Sequence, residues 1–291
     1  MDLFLLHLYF QFYFIIYDIL PILHPEWWPS HIKALHSKWL ETIVNISDGL
    51  LSISNAVSYD VQKWIDKNNI KKSLSLKHMC FHLGADIDNS LPSNGMPENG
   101  VSVLEVLKNK TTFLMVGTIE PRKGHEQTLE AFEQLWQDSL DVNLVYVGKE
   151  GWLVEEIIQK MRNHPELNKR FFWLEGISDE YLEKVYENST CLIAASEGEG
   201  FGLPLIEAAQ KKMPIIARDI PVFKEVAGEF ACYFENSKDS EVTVTVIKHW
   251  IELYKQNTHP KSDEMPWLTW EESARQLLDC VGIKYNKKVI K

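Results

Sequence analysis

The chain has 291 residues, 45% of them hydrophobic, and a formal net charge of −11. That length supports one large or two smaller globular domains, while the acidic balance argues against a general nucleic-acid binder, whose affinity rests on clustered Lys and Arg. Cys80, Cys191, Cys232 and Cys280 stand far apart with neither CxxC nor zinc-ligand spacing, so neither a disulfide framework nor a structural metal is expected, and a reducing cytoplasm fits best.

Met1 to Leu23 is almost wholly apolar, but it lacks the basic start and small-residue cleavage site of a signal peptide. Asp2, His7, Gln11 and Asp18 interrupt it, which favours buried strands over a membrane-associated helix. Strand-like runs at Tyr13–Ile19, Gly49–Ser54 and His78–His82, separated by helical stretches at Ile32–Val44 and Ala56–Lys67, describe a partial α/β domain over 1–88. Asn89 to Gly100 (NSLPSNGMPENG) reads as a linker with no packing role. From Thr111 onward, short β-rich runs alternate with amphipathic segments, the pattern of a parallel sheet covered by helices. The expected strands are 112–116, 142–147, 171–174, 191–195, 214–217 and 231–234. Helices are expected at His125–Gln137, Val154–Arg162, Asp179–Asn188, Leu203–Lys212 and Pro221–Ala227, making 101–265 one Rossmann-like domain. Ser178 is placed to cap the third of these helices. Thr269 is placed to cap a last helix, Trp270–Val281, within a C-terminal segment 266–291.

Two loops carry the chemistry. Ser196-Glu197-Gly198-Glu199-Gly200-Phe201-Gly202-Leu203-Pro204-Leu205-Ile206-Glu207 follows a buried strand and opens a helix. Gly200 and Gly202 permit close backbone approach to a ligand, and Pro204 suits a first helical turn. The free N–H groups there suit a diphosphate, while Glu199 and Glu207 can accept hydrogen bonds from sugar or ribose hydroxyls across one cleft. Val116-Gly117-Thr118-Ile119-Glu120-Pro121-Arg122-Lys123-Gly124-His125 follows the first strand of the same domain. Loops at the carboxyl ends of parallel strands share a crevice, so Arg122 and Lys123 can supply to a diphosphate the positive charge that the overall composition lacks.

VGTIEPRKG followed by EGEGFGLPLIEAA resembles the donor domain of the retaining family-four glycosyltransferases of GT-B fold (glycosyltransferases group 1). Glu199 and Glu207 match that family's Glu-x7-Glu signature. YDILPILHPEWW (17–28), FHLGAD (81–86) and WEESARQLL (270–278) resemble segments of members that build bacterial polysaccharides, many of them mannosyltransferases. The resemblance implies that Arg122 and Lys123 hold the diphosphate, that Glu199 contacts the donor sugar, and that Glu207 binds the ribose. Gly117, Gly200, Phe201, Gly202 and Leu203 would line the donor site, and the nucleobase would lie near Gly176–Leu182 against Ile177 and Leu182. Two departures stand out. Family members open with a Gly-rich strand–helix unit before the segment corresponding to Tyr17-Asp18, so a truncated acceptor domain is expected. Many relatives also carry His-Asp where this chain has Tyr17-Asp18, and Tyr17 is no simple substitute for a histidine beside the reacting sugar.

The expected function is therefore retaining transfer of a hexose, with mannose foremost, from a nucleotide diphosphate sugar (GDP-mannose or UDP-hexose). The acceptor would be a glycan or lipid-linked molecule in polysaccharide or O-antigen biosynthesis, and the alternative is a non-catalytic nucleotide-binding remnant. No cofactor is expected, and Asp86-Ile87-Asp88 reads as a surface turn rather than a metal site. His24, His78, His82 and His125 lack ligand spacing, and His125 reads as a helix start. The expected location is cytoplasmic, with peripheral contact at the inner face of the plasma membrane.

Overall fold

The computed structural model describes residues 11–85 and 95–284. The first ten residues and the Asp86-Ile87-Asp88 triplet lie outside them. β1 (Tyr13–Ile16), β2 (Gly49–Ser52) and β3 (Lys77–Cys80) form a parallel sheet of order β1-β2-β3. Its connections contain α1 (Leu20–Leu23), α2 (Ile32–Ile46) and α3 (Asn55–Lys67).

The second sheet is parallel throughout. β4 (Thr112–Val116), β5 (Asn143–Val147), β6 (Phe171–Leu174), β7 (Cys191–Ala194), β8 (Ile215–Arg218) and β9 (Cys232–Phe234) run in the order β6-β5-β4-β7-β8-β9. Helices α4 (Gly100–Lys108), α5 (His125–Gln137), α6 (Glu155–Arg162), α7 (Asp179–Glu187), α8 (Leu203–Gln210), α9 (Pro221–Ala227), α10 (Ser240–Lys255) and α11 (Trp270–Cys280) accompany it. The strand order reverses between β4 and β7, and the crevice at such a switch point is where open α/β sheets bind ligands.

Alternation along the strands feeds two cores. Phe113, Met115, Leu144, Tyr146, Cys191 and Ile193 join one cluster, under α5 and α10. Leu114, Val145, Val147 and Leu192 join the other, as the period of two requires. The second cluster also takes in Leu51, Ile53, Phe81 and Leu83 of the small-sheet segment, so the two sheets share a core. The far face of the small sheet has its own core around Ile16, Leu40, Val44, Leu50 and Val61.

Three expectations need correction. The strand expected over Tyr13–Ile19 stops at Ile16, because the Asp18 carboxylate accepts the Leu20 N–H at 2.9 Å and turns the chain into α1. Residues 95–100, expected to have no packing role, lie against α7: Ser178 Oγ donates to Gly95 O at 2.6 Å, and Gly100 is buried. α10 had no counterpart in the sequence reading, since its Val-Thr-Val-Thr-Val start mimics strand alternation. It is helical because Val244, Ile247 and Trp250 bury on one face, Trp250 edge-on to Phe113 at 5.5 Å. Among the described residues, no helix is long and apolar enough to cross a membrane.

Candidate functional site

The loops after β4 and β7 are zipped together at the switch point. The Glu197 N–H donates to Arg122 O at 2.7 Å, and Arg122 Nη1 donates to Gly198 O at 2.8 Å. Gly124 has φ +73°, and a Cβ there would stand 2.5 Å from Ala195 O, so glycine is needed both for the turn and for the approach. Behind the junction, Arg218 is fully buried and donates through Nε to Ala195 O at 2.8 Å and through Nη2 to Gln127 Oε1 of α5. Nothing in the sequence pattern distinguished Arg218 as the brace of both loops.

The two basic residues meet one carboxylate. Lys123 Nζ lies 2.6 Å and Arg122 Nη1 2.9 Å from the two oxygens of Glu199, and Arg122 Nε is 3.0 Å from Glu120. The Arg122, Lys123 and Glu199 side chains are only 13–15% exposed. Burial pushes the Glu199 carboxyl up, but Lys123 and Arg122 outweigh it and hold its pKa below the usual range. Glu120 and Asp18 go the other way, both raised chiefly by burial, with Arg122 opposing. The expected positive patch is thus self-neutralised by Glu120 and Glu199. The crevice bordered by Lys123, Glu199, Ser196 and Gly202 has a volume of only about 30 Å³, and Glu199 already holds the Lys123 ammonium that borders it.

Gly117 (φ +145°) faces Lys123, whose Nζ would lie 3.5 Å from an added Cβ. Gly202 (φ +99°) precedes Leu203, which opens α8 with Pro204. The Gly200 backbone is pressed between the sheets: a Cβ would come 2.2 Å from Tyr17 O, and Ser54 Oγ donates to Gly200 O at 2.8 Å. The Phe201 side chain is 4% exposed and edge-on to His82, so it is core and leaves only its backbone for a ligand. Glu207 is not paired with the cations. It accepts the Tyr186 hydroxyl at 2.6 Å, and its pKa is raised by burial. Tyr186 was missed, since an α7 tyrosine 21 residues upstream carries no local signal.

Ile177 borders a cavity of about 350 Å³ with Gly176, Ser178, Trp173 and Tyr181. Leu182 is not among its lining residues and packs instead against the core. Among the described residues, the side chains close enough to share a metal are Cys80, His82 and Glu225. Glu225 is already committed: it accepts His82 Nε2 at 2.8 Å and the Asn55 and Ala56 N–H groups that open α3.

Known proteins resemble this chain in sequence and in fold. The chain is 50% identical over 267 residues to the Escherichia coli serotype-specific mannosyltransferase WbdA, an alignment covering 91% of this chain and 33% of the relative. It thus spans about a third of the length of that relative. The O-antigen chain mannosyltransferase RfbU of Salmonella typhimurium is 26% identical over 235 residues, covering 80% of this chain and 59% of the relative. Among solved structures, Anabaena HepE in complex with UDP-glucose superposes with a TM-score of 0.71 at 15% identity, over 94% of this chain and 72% of that one. Sucrose-phosphate synthase from Thermosynechococcus elongatus gives 0.71 at 17% identity, over 95% and 68%. These likenesses bear out the expected α/β fold of GT-B type. The model of the family "Glycosyl transferases group 1" matches residues 102–263, and the chain belongs to that family.

Proposed function

We propose that this chain provides the donor site of a retaining mannosyltransferase that takes mannose from a nucleotide diphosphate and adds it to a polysaccharide acceptor of the O-antigen kind. The observation that carries the reading is the convergence of Arg122 and Lys123 on Glu199 at the switch point, beside the start of α8. The donor diphosphate displaces Glu199 from the two cations and lies at the N-terminus of α8, whose dipole favours an anion. Glu199, released, accepts hydrogen bonds from the sugar hydroxyls, and Glu207 accepts them from the ribose. As the glycosidic bond breaks, Arg122 and Lys123 stabilise the charge growing on the leaving diphosphate, and the acceptor hydroxyl attacks the same face of the sugar. The base lies in the cavity beside Ile177 and Tyr181. Mannose is favoured over other hexoses because the relatives WbdA and RfbU are named as mannosyltransferases.

Titration calorimetry with GDP and UDP tests the donor site, and transfer of labelled mannose from GDP-mannose to a mannan acceptor tests the reaction. Nucleotide binding that requires Arg122 and Lys123, with mannose incorporated, is the expected result. Absence of binding to both nucleotides overturns the proposal.

A further inference from the structure

The loop carrying Arg122 and Lys123 has a second cavity on its border, of about 380 Å³, within the range of small-molecule sites, roughly 300–1,000 Å³. Resting on the glycosyl-transfer reading above, we propose that this cleft is a subsite for a neutral saccharide unit of the acceptor glycan, a unit that is held but does not react.

The lining carries the chemistry. Glu126 and Glu130 stand one turn apart on α5, both exposed, and among the described residues neither pairs with a cation. Glu26 enters from the small-sheet side and Glu197 from the loop after β7, where Lys238 lies 3.2 Å from the Glu197 carboxylate. Between the acidic groups, Trp27, Leu153 and Ile157 supply apolar surface. Carboxylates accept hydrogen bonds and donate none when ionised, so such a wall favours a ligand rich in O–H donors with an apolar C–H face. Acidic sugars and phosphates are repelled. A divalent cation fits less well, because among the described residues only Cys80, His82 and Glu225 gather closely enough to share one.

A second observation is independent of the acidic wall. His125, 3% exposed, borders both this cleft and the crevice at Lys123, and neither ring nitrogen has a hydrogen-bond partner. Its ring packs edge-on against Tyr146 at 4.8 Å. Burial is the larger cause, and Lys123 the smaller, of a pKa lowered to about 3, so the ring is neutral. A neutral imidazole offers one donor and one acceptor, which a sugar hydroxyl can satisfy. Buried polar groups left unbonded are uncommon in proteins without a ligand or water to meet them.

The test uses the full chain with α-mannotriose as the neutral probe, digalacturonate as the charged one, and GDP as the control. Binding is followed by calorimetry and by NMR of the His125 ring. Mannotriose is expected to bind and to shift the His125 signals. The surface double variant Glu126→Gln, Glu130→Gln should weaken it about tenfold, the loss expected for hydrogen bonds to charged acceptors, with GDP affinity unchanged. Equal affinity of parent and variant for mannotriose, no binding by the parent, or digalacturonate binding as tightly overturns the subsite. If mannotriose behaves as expected while no nucleotide binds, the donor-site reading fails and the subsite stands.

Discussion

The two sheets of this protein are built from the same parallel strands, yet they do different work. The six-stranded sheet reverses order between β4 and β7, so the helices that follow, α5 and α8, pack in different cores and the two loops leading to them gather Arg122, Lys123 and Glu199 at one crevice. The described three-stranded sheet runs in sequence order and opens no such crevice. It acts end-on: Tyr17 and Ser54 press on Gly200, Trp27 packs under Gly198, and the α3 start is tied to Glu225. The contrast teaches that ligand chemistry arises where topology sends neighbouring strands to helices on opposite faces, while a sheet without a switch point can still set the position of the loops between them.

The sharpest way to break this division is Arg122→Ala. Transfer should fall by about 10²-fold or more, through loss of charge on the leaving diphosphate. Stability should fall too, because Glu120 is left buried without its ion-pair partner and Glu199 keeps only Lys123. Removing one side of a buried pair costs about 3–5 kcal/mol. Lys123→Ala should match the kinetic loss with a smaller drop in Tm, since Arg122 still holds Glu199. Steady-state kinetics beside thermal melts check both, and rates within threefold of the parent would show that the pair does not support the leaving group.

Next in size is Gly200→Ala. Its methyl group would meet the Tyr17 carbonyl, a backbone atom, so the two sheets must part locally. Nucleotide affinity and Tm should fall together, and an unchanged melt would show that the small sheet does not position the loop.

Glu207→Gln probes the second glutamate. The amide oxygen keeps the Tyr186 bond while removing a buried charge, so nucleotide affinity should fall about tenfold, as for a lost charged acceptor, while Tm holds or rises. The sign follows from the raised pKa. A carboxyl raised in the folded state contributes stability that is full below its unfolded pKa and is lost as pH rises through the folded value. The advantage of the glutamine variant therefore grows with pH across that window and vanishes in acid. For Glu199, lowered in the folded state, stability is present above the unfolded value and lost as pH falls through the folded one. A glutamine variant less stable than the parent at neutral pH would mean that Glu207 is structural.

The smallest effect is expected for Ser54→Ala, which removes one hydrogen bond to Gly200 O and the cap of α3. A cost near 1–2 kcal/mol in urea melts, with nucleotide affinity changed less than for Gly200→Ala, would place Ser54 among the supports of the loop.

Much of this architecture was legible without coordinates, because it is local. The strands at 112–116 and 171–174 and the helices His125–Gln137 and Pro221–Ala227 fall where periodicity puts them. Ser178 and Thr269 cap the helices they precede, Thr269 through a capping box with Glu272. Glycines, prolines and cap residues act on their own backbone and immediate neighbours, so a short window of sequence determines them. α10 escaped because its β-branched start satisfies two periods at once, and only the apolar floor made by Phe113 chose the helix.

The sequence by itself determined which residue types stand in the two loops and that both loops follow buried strands. Only the tertiary structure decided who pairs with whom. Pairing Phe113 with Cys191 across β4 and β7 brings residues 76 positions apart, Lys123 and Glu199, within 2.6 Å, and the same closure leaves His125 unbonded between two cavities. Charge pairing, pKa and burial depend on distances set by that closure, and no local pattern encodes a distance between segments that the chain joins only by folding.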